Sequence, residues 1–286
     1  MSAGKARLQV LAAAVLFSTG GAAIKIDAFT AAQTSCLRSG IAAVTLLLWL
    51  RGRFQWSWTI AAAAVAYAAI LTLFVTATKL TTAANAILLQ ATAPLYLLVL
   101  GPLVLHERFR RRDIVFIGAL FLGLVLCVAG RPPESATAPN PALGNTLGAA
   151  SGFVWALTLM ALRYLGRDDR TGAAPVSAVV LGNVLACTVA LPWAMPLPDA
   201  SAAAWATLVY LGVFQIGLAY FLLSSAVGRL PALETSLLLL LEPVLNPVWA
   251  WLIHGEDPGS WTILGGGVIL GATALKVIVD SRPTRP

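Results

Sequence analysis

Ten apolar runs, each close to the length of a membrane-crossing helix, follow one another along the chain with only short breaks between them. They cover about 7–27, 34–50, 58–78, 83–104, 113–130, 143–164, 175–195, 202–224, 232–253 and 260–279. A helix needs about 20 mainly apolar residues to cross the hydrocarbon core. Strand-like alternation is absent, which argues against a lipid-facing β-barrel. The fold class expected is therefore an all-α integral membrane protein with ten transmembrane helices. Composition agrees, since charged residues are 11% of the chain and hydrophobic ones 59%. A soluble domain carries about 25% charged residues on its surface, and a disordered chain needs the opposite composition. No stretch remains for a separate soluble domain of about 100 residues.

The few charges set an orientation. Lys5 and Arg7 before an apolar run could begin a signal peptide, but the run to Ile26 is long for one and no clear cleavage site follows. It is read as the first helix. With the N-terminus inside, fifteen of the 19 basic residues fall on inner segments, among them Arg51, Arg53, Arg163, Arg167 and Arg229. Lys25, Lys79 and Arg131 fall outside, and Arg38 lies within the second span. The positive-inside rule then places both termini in the cytoplasm. It also accounts for the net charge of +7 without nucleic acid. The run Arg108–Arg112, between two spans, reads as a cytoplasmic anchor. Cys36, Cys127 and Cys187 are far apart in apolar stretches and without CxxC spacing, so they read as small apolar residues.

An internal repeat organises the chain. Pro94, Glu107 and Gly118 recur as Pro243, Glu256 and Gly267, each 149 residues later and at equivalent places on equivalent spans. Residues 1–130 form the first five-helix unit and 143–286 the second, joined by a Pro-rich polar linker over 131–142. Five helices per unit is odd, so the second unit enters the membrane from the opposite side. Inverted repeats of this kind build many secondary transporters, with the substrate site near mid-membrane between the repeats.

Ten spans, the paired Pro-Glu-Gly spacing and the phrase Leu241-Glu242-Pro243-Val244 resemble the EamA-type members of the drug/metabolite transporter superfamily. Within it the chain looks most like the YddG-type amino-acid exporters. The resemblance covers nearly the whole chain. It implies two inverted five-helix repeats in a basket-like bundle around a central cavity, and export of small metabolites from a bacterial inner membrane. Aromatic and other amino acids and cationic toxicants are among the family's substrates. One departure stands out. The small multidrug members couple to protons through a Glu in the first helix, whereas no carboxylate occurs here between Leu8 and Ile26.

Depth along each span separates anchors from candidate substrate contacts. Trp49, Trp56, Trp58, Trp193, Trp205, Trp249, Trp251 and Trp261 lie near span ends and read as an interfacial aromatic belt. Trp155 lies near mid-span, and Tyr67, Tyr96 and Tyr210 are close to mid-depth. Packed or lipid-facing rings are one reading; walls of a cavity for an amino acid with an apolar side chain are the other. Glu242 sits at the centre of span nine, where an ionisable side chain is a functional hypothesis by default. It could pair with a substrate ammonium, bind a proton, or accept hydrogen bonds from a neighbouring helix beside the break at Pro243. Asn246 follows one turn later on the same face. Gln90, Asn183 and Gln215 could orient a substrate or bridge helices. Ser18-Thr19-Gly20-Gly21 allows close approach and bending. Lys79, an outer basic residue with Asn85 just beyond, could attract a carboxylate at the outer mouth or snorkel to the interface, as could Arg229 on the inner side. Glu107 and Glu256 end equivalent helices and read as solvated ends or gates.

The expected function is a secondary transporter or facilitator that exports small metabolites by alternating access, amino acids including aromatic or other apolar ones in the first reading, cationic drugs or other small metabolites in the alternative. Its partners are the lipid bilayer and the substrate, with no nucleic acid. No GxxxxGK[ST] phosphate loop occurs, so a gradient or a partner subunit must supply energy. A membrane enzyme would need acid, base or metal ligands gathered at one depth. His106 and His254 instead fall on opposite sides, and Asp168-Asp169 lies in a loop without partners. Neither cofactor nor metal is expected.

Overall fold

The computed structural model describes residues 3–26, 28–105, 111–129, 139–169, 171–254 and 259–281. Among them every regular element is helical. Eight stretches are long and apolar enough to cross a membrane: Ala3–Lys25, Ala31–Leu50, Trp58–Leu80, Asn85–Leu105, Pro141–Asp168, Ala173–Ala194, Ala202–Val227 and Ala232–Ile253. A shorter apolar stretch, Ile114–Gly123, stands beside them. Most of the linker expected over 131–142, together with His106, Glu107 and Glu256, lies outside the described residues.

Helix starts follow the capping residues. In α3 (Ala31–Leu50) Thr30 accepts from the Gln33 backbone N–H while the Gln33 side chain accepts from the Thr30 N–H, a reciprocal capping box. The Ser57 hydroxyl accepts from Ile60 N–H at the head of α4 (Trp58–Leu80), and the Thr82 hydroxyl accepts from Asn85 N–H at the head of α5 (Ala83–Gln90). Asn140 caps α8 (Pro141–Asp168) and Ser201 caps α10 (Ala202–Tyr210) in the same way. Inside the spans, hydroxyls that lipid could not solvate donate back to carbonyls one turn earlier, as Thr72 does to Ala68 and Thr158 to Val154.

Three of the expected single spans are in fact broken. The first divides at Thr19 into α1 (Ala3–Ser18) and α2 (Gly20–Ile26). The fourth divides into α5 and α6 (Ala93–Leu100), which runs on into a π-helical turn at Gly101–Leu105. The ninth divides at Leu240 into α12 (Ala232–Leu239) and α13 (Leu241–His254). Proline explains two of these breaks. Pro94 has no N–H for the Gln90 carbonyl, and Pro243 has none for that of Leu239. The chain tightens just before each one: Thr92 N–H donates to Leu89 and Leu240 N–H to Leu237.

Helices α1, α4, α8, α11 (Ala219–Val227) and α9 (Ala173–Ala194) surround one continuous apolar core. Small residues let them approach. Gly144, Gly148, Ser151 and Gly152 of α8 are buried against neighbouring helices, which is how helices gain contact in lipid, where apolar burial alone drives little. Helices α7 (Arg111–Ala129) and α14 (Gly259–Ser281) pack on each other at the side and join the rest through α5 and α13. Leu48, Leu103 and Val115 are exposed, an apolar exterior suited to acyl chains.

One reading needs correction. Asp169 is not a loop carboxylate without partners: its Oδ2 accepts from Ala174 N–H and its Oδ1 from the N–H and hydroxyl of Thr171, capping the start of α9. Burial opposes its ionised form, yet these hydrogen bonds outweigh burial and hold the carboxyl below the ordinary carboxylate range. Cys36 and Cys187, 151 residues apart in sequence, bring their thiols to 3.1 Å where α3 crosses α9.

Candidate functional site

The two proline breaks deliver polar side chains to the middle of the bundle. Gln90 ends α5, and Glu242 is the second residue of α13, about 15 Å along from the start of α12 at 1.5 Å per residue. Both line a central cavity with Arg38, Gln215, Phe17, Ile70, Leu71, Phe74, Trp155, Ile216 and Tyr220. A recess beside it shares Gln90, Trp155 and Glu242 and adds Ser236, Pro94 and Pro243. The central cavity is small, about 30 Å³, space for roughly two water molecules.

A basic and an acidic side chain face this space. Arg38 is the eighth residue of α3, about 10 Å in from its start, and only 1% exposed. Its Nη1 donates to Gln215 Oε1 at 3.4 Å. Glu242 is 8% exposed. An ionised side chain at the centre of a membrane helix costs about 2.5–3.5 kcal/mol or more, so an ionisable group held there is a functional candidate. Gln215 itself sits in the π-helical segment Leu211–Leu218 between α10 and α11, a wide turn of the kind found at functional sites.

Aromatic rings complete the wall. Tyr220 is their hub: its ring meets Phe17 edge-on with centroids at 4.8 Å, Tyr67 at 4.6 Å and Trp155 at 6.1 Å. Behind it the Asn183 amide donates to Tyr67 Oη at 3.2 Å and to the Val179 carbonyl. Tyr67 and Asn183 thus stand behind Tyr220, outside the cavity lining. The buried Gln90 Oε1 has no hydrogen-bond partner.

The glycine pair read as a packing and bending site has a specific use. A Cβ on Gly20 would come within 2.6 Å of Gln215 Nε2, and one on Gly21 within 2.5 Å of Asn246 Nδ2. Both amides lie directly on the bare backbone of α2. Asn246, one turn beyond Glu242, is therefore covered by α2 and 1% exposed.

Of the residues read from the sequence, Trp155, Gln215, Gln90 and Glu242 come together at the cavity; Tyr67 and Asn183 back it. Tyr96 stacks edge-on to Phe153 and Tyr210 lies parallel to Phe214, both half-buried and away from the lining. The Tyr210 hydroxyl shares a hydrogen bond with Thr19 at 2.9 Å, at the break between α1 and α2. Lys79 is also elsewhere: its ammonium donates to the carbonyls of Ile24 and Phe29, each at 3.0 Å, fastening the end of α2. Asn85 turns to Asn145. Three of the belt tryptophans turn inward: Trp249 donates to the Ser18 hydroxyl at 2.9 Å, Trp49 packs edge-on to Phe221 and Trp205 edge-on to Phe29. Arg38 and Tyr220 are the polar cavity residues that sequence reasoning passed over, along with the apolar Phe17, Ile70, Leu71, Phe74 and Ile216. An intramembrane charge was the available signal for the first.

Comparison with known proteins supplies the family context. The profile of the EamA-like transporter family matches residues 4–129 and 142–278. An "Uncharacterized transporter YdfC" of Bacillus subtilis (strain 168) is 29% identical over 205 residues, which are 70% of this chain and 65% of that protein. An "Uncharacterized transporter" of Methanothermobacter thermautotrophicus is 24% identical over 206 residues, 69% of this chain and 57% of that one. The chain thus spans less than two thirds of the length of these curated relatives. A solved crystal structure superposes with a TM-score of 0.78 at 18% identity, covering 97% of this chain and 98% of that one, a likeness of fold.

Proposed function

The chain belongs to the EamA-like transporter family, and from that premise we propose that it is a secondary transporter or facilitator exporting amino acids, aromatic and other apolar ones included, across a bacterial inner membrane. The observation that carries this reading is the pair Arg38 and Glu242 on one aromatic-walled cavity. A free amino acid presents a carboxylate and an ammonium on one carbon. The Arg38 guanidinium matches the first with two parallel donors; the Glu242 carboxylate matches the second. Gln90, with an unpartnered oxygen, and Gln215 supply orienting hydrogen bonds. Trp155, Phe17 and Tyr220 offer ring faces and edges to an apolar side chain.

The cavity must widen to admit such a molecule. In this reading the chain has ten spans, two inverted five-helix halves and both termini in the cytoplasm, and the halves rock about the cavity to open it to each side in turn. The recurrence of the helix break after 149 residues, at Gln90 and Leu239, supports the repeat; the basic inner segments support the orientation. Export of cationic drugs is the weaker second reading, because Glu242 suits a cation while the Arg38 guanidinium on the same cavity repels one.

The test is uptake of labelled amino acids into proteoliposomes of the full chain, with and without a pH gradient. The expected result is transport of apolar amino acids above protein-free vesicles, impaired in Trp155→Ala and in Gln215→Ala at unchanged levels of folded protein. Uptake no faster than in protein-free vesicles overturns the substrate reading, and unchanged transport in both variants overturns the site.

A further inference from the structure

Where α8 ends, a second and larger cavity of about 330 Å³ opens. It shares no lining residue with the central one. Its walls are the last turn of α8, the turn around Asp169 and Thr171, and the end of α11 with Arg229. The floor is fixed by backbone packing. Arg163 donates to the carbonyls of Val227 and Gly228, and a Cβ on Gly228 would overlap the Gly166 carbonyl. The ends of α8 and α11 are therefore pinned together and cannot close over the space.

The side chains around it are donors in search of an acceptor. Arg167 and Arg229 are exposed on the rim. Ser224, 2% exposed, lines the interior, and its hydroxyl has no hydrogen-bond partner. The one carboxylate present, Asp169, is engaged by three donors at the start of α9 and stays put. Net charge at the cavity is thus positive. Donors spread over α8 and α11 exceed what the two oxygens of a carboxylate can use, whereas a phosphate group has enough oxygens to meet two guanidinium forks and a hydroxyl at once. The space also exceeds what a simple ion fills. It lies at the ends of membrane-length helices, the part of a spanning helix that meets the headgroup region.

We propose that this cavity binds a phosphate group, presented by an anionic phospholipid headgroup or by free phosphate, and that the bound group ties α8 to α11. The proposal is independent of the substrate. Its test is thermal unfolding of the purified full chain in an uncharged detergent, titrated with phosphatidylglycerol or, separately, with inorganic phosphate against chloride at equal ionic strength. Arg167→Gln with Arg229→Gln removes the rim charges; Arg51→Gln with Arg53→Gln removes two basic charges elsewhere. The expected result is stabilisation of the unaltered chain whose half-maximal concentration rises at least about tenfold in the cavity variant and stays unchanged in the control variant. A response to phosphatidylglycerol alone identifies the lipid as the source, and a response to inorganic phosphate identifies the free anion. Equal responses of the two variants, or no stabilisation by either ligand beyond chloride and uncharged detergent, overturn the proposal.

Discussion

The two proline breaks use one backbone device and end in different chemistry. Before Pro94 the chain offers an amide, Gln90; at Pro243 it offers a carboxylate, Glu242, while the residue 149 positions after Gln90 is Leu239. Both breaks interrupt the hydrogen-bond ladder at the cavity wall. The backbone thus sets where polar groups appear, and the side chains set which charge is offered. The same backbone break can therefore recur along the chain and still present different chemistry at each copy.

Substitutions at the breaks test this division. Glu242→Gln keeps the shape and removes the charge; transport in the proteoliposome assay is expected to fall about a hundredfold, the scale of an unpaired buried ionic group, and unchanged uptake would remove Glu242 from the site. Next come the prolines. Pro243→Ala restores a donor where the carboxylate is aimed and should cut transport about tenfold, while Pro94→Ala, which re-aims only an amide, should cut it several-fold less; equal losses would mean that the breaks act through backbone bending alone. Gln90→Leu makes the first break resemble the second and should raise the KM of amino-acid transport a few-fold with little change in kcat. The smallest effect lies away from both breaks. Asp169→Asn should lower Tm modestly at neutral pH. Because the folded-state pKa of Asp169 is depressed, its contribution is present above the ordinary carboxylate value of 3.8 and is lost as pH falls through the lower folded value. The Tm difference between the chain and Asp169→Asn should therefore disappear in acid, and a constant difference would leave the cap without its ionic component.

Depth was legible in the sequence, and rotation was not. Apolar runs placed helix edges within a few residues, as at Ala31–Leu50 and Ala173–Ala194. Trp155, Tyr96 and Tyr210 share a depth, yet only Trp155 faces the cavity, because hydropathy in lipid is nearly the same on every helix face and cannot say which face turns inward. Tyr220 was hidden for a different reason: the span was read as ending at 224, whereas α11 runs to Val227, which places the tyrosine deeper. Arg38 was visible as a charge inside a span, and the argument that raised Glu242 applies equally to it. Breaks at the prolines and at Ser18-Thr19-Gly20-Gly21 were foreseeable; the Gln215 and Asn246 amides that lie on Gly20 and Gly21 come from across the bundle, and no local pattern encodes them.

The small volume of the central cavity, about 30 Å³, bears on how tightly any molecule can be held there. If the widened form is a fraction of the population, the apparent Kd equals the intrinsic one divided by that fraction, so a form present at about 1% weakens apparent binding about a hundredfold. Modest affinity at equilibrium is then compatible with strong contacts once the molecule is inside. A substitution that merely loosens the Tyr67–Asn183 packing behind Tyr220 would strengthen binding without touching the ligand.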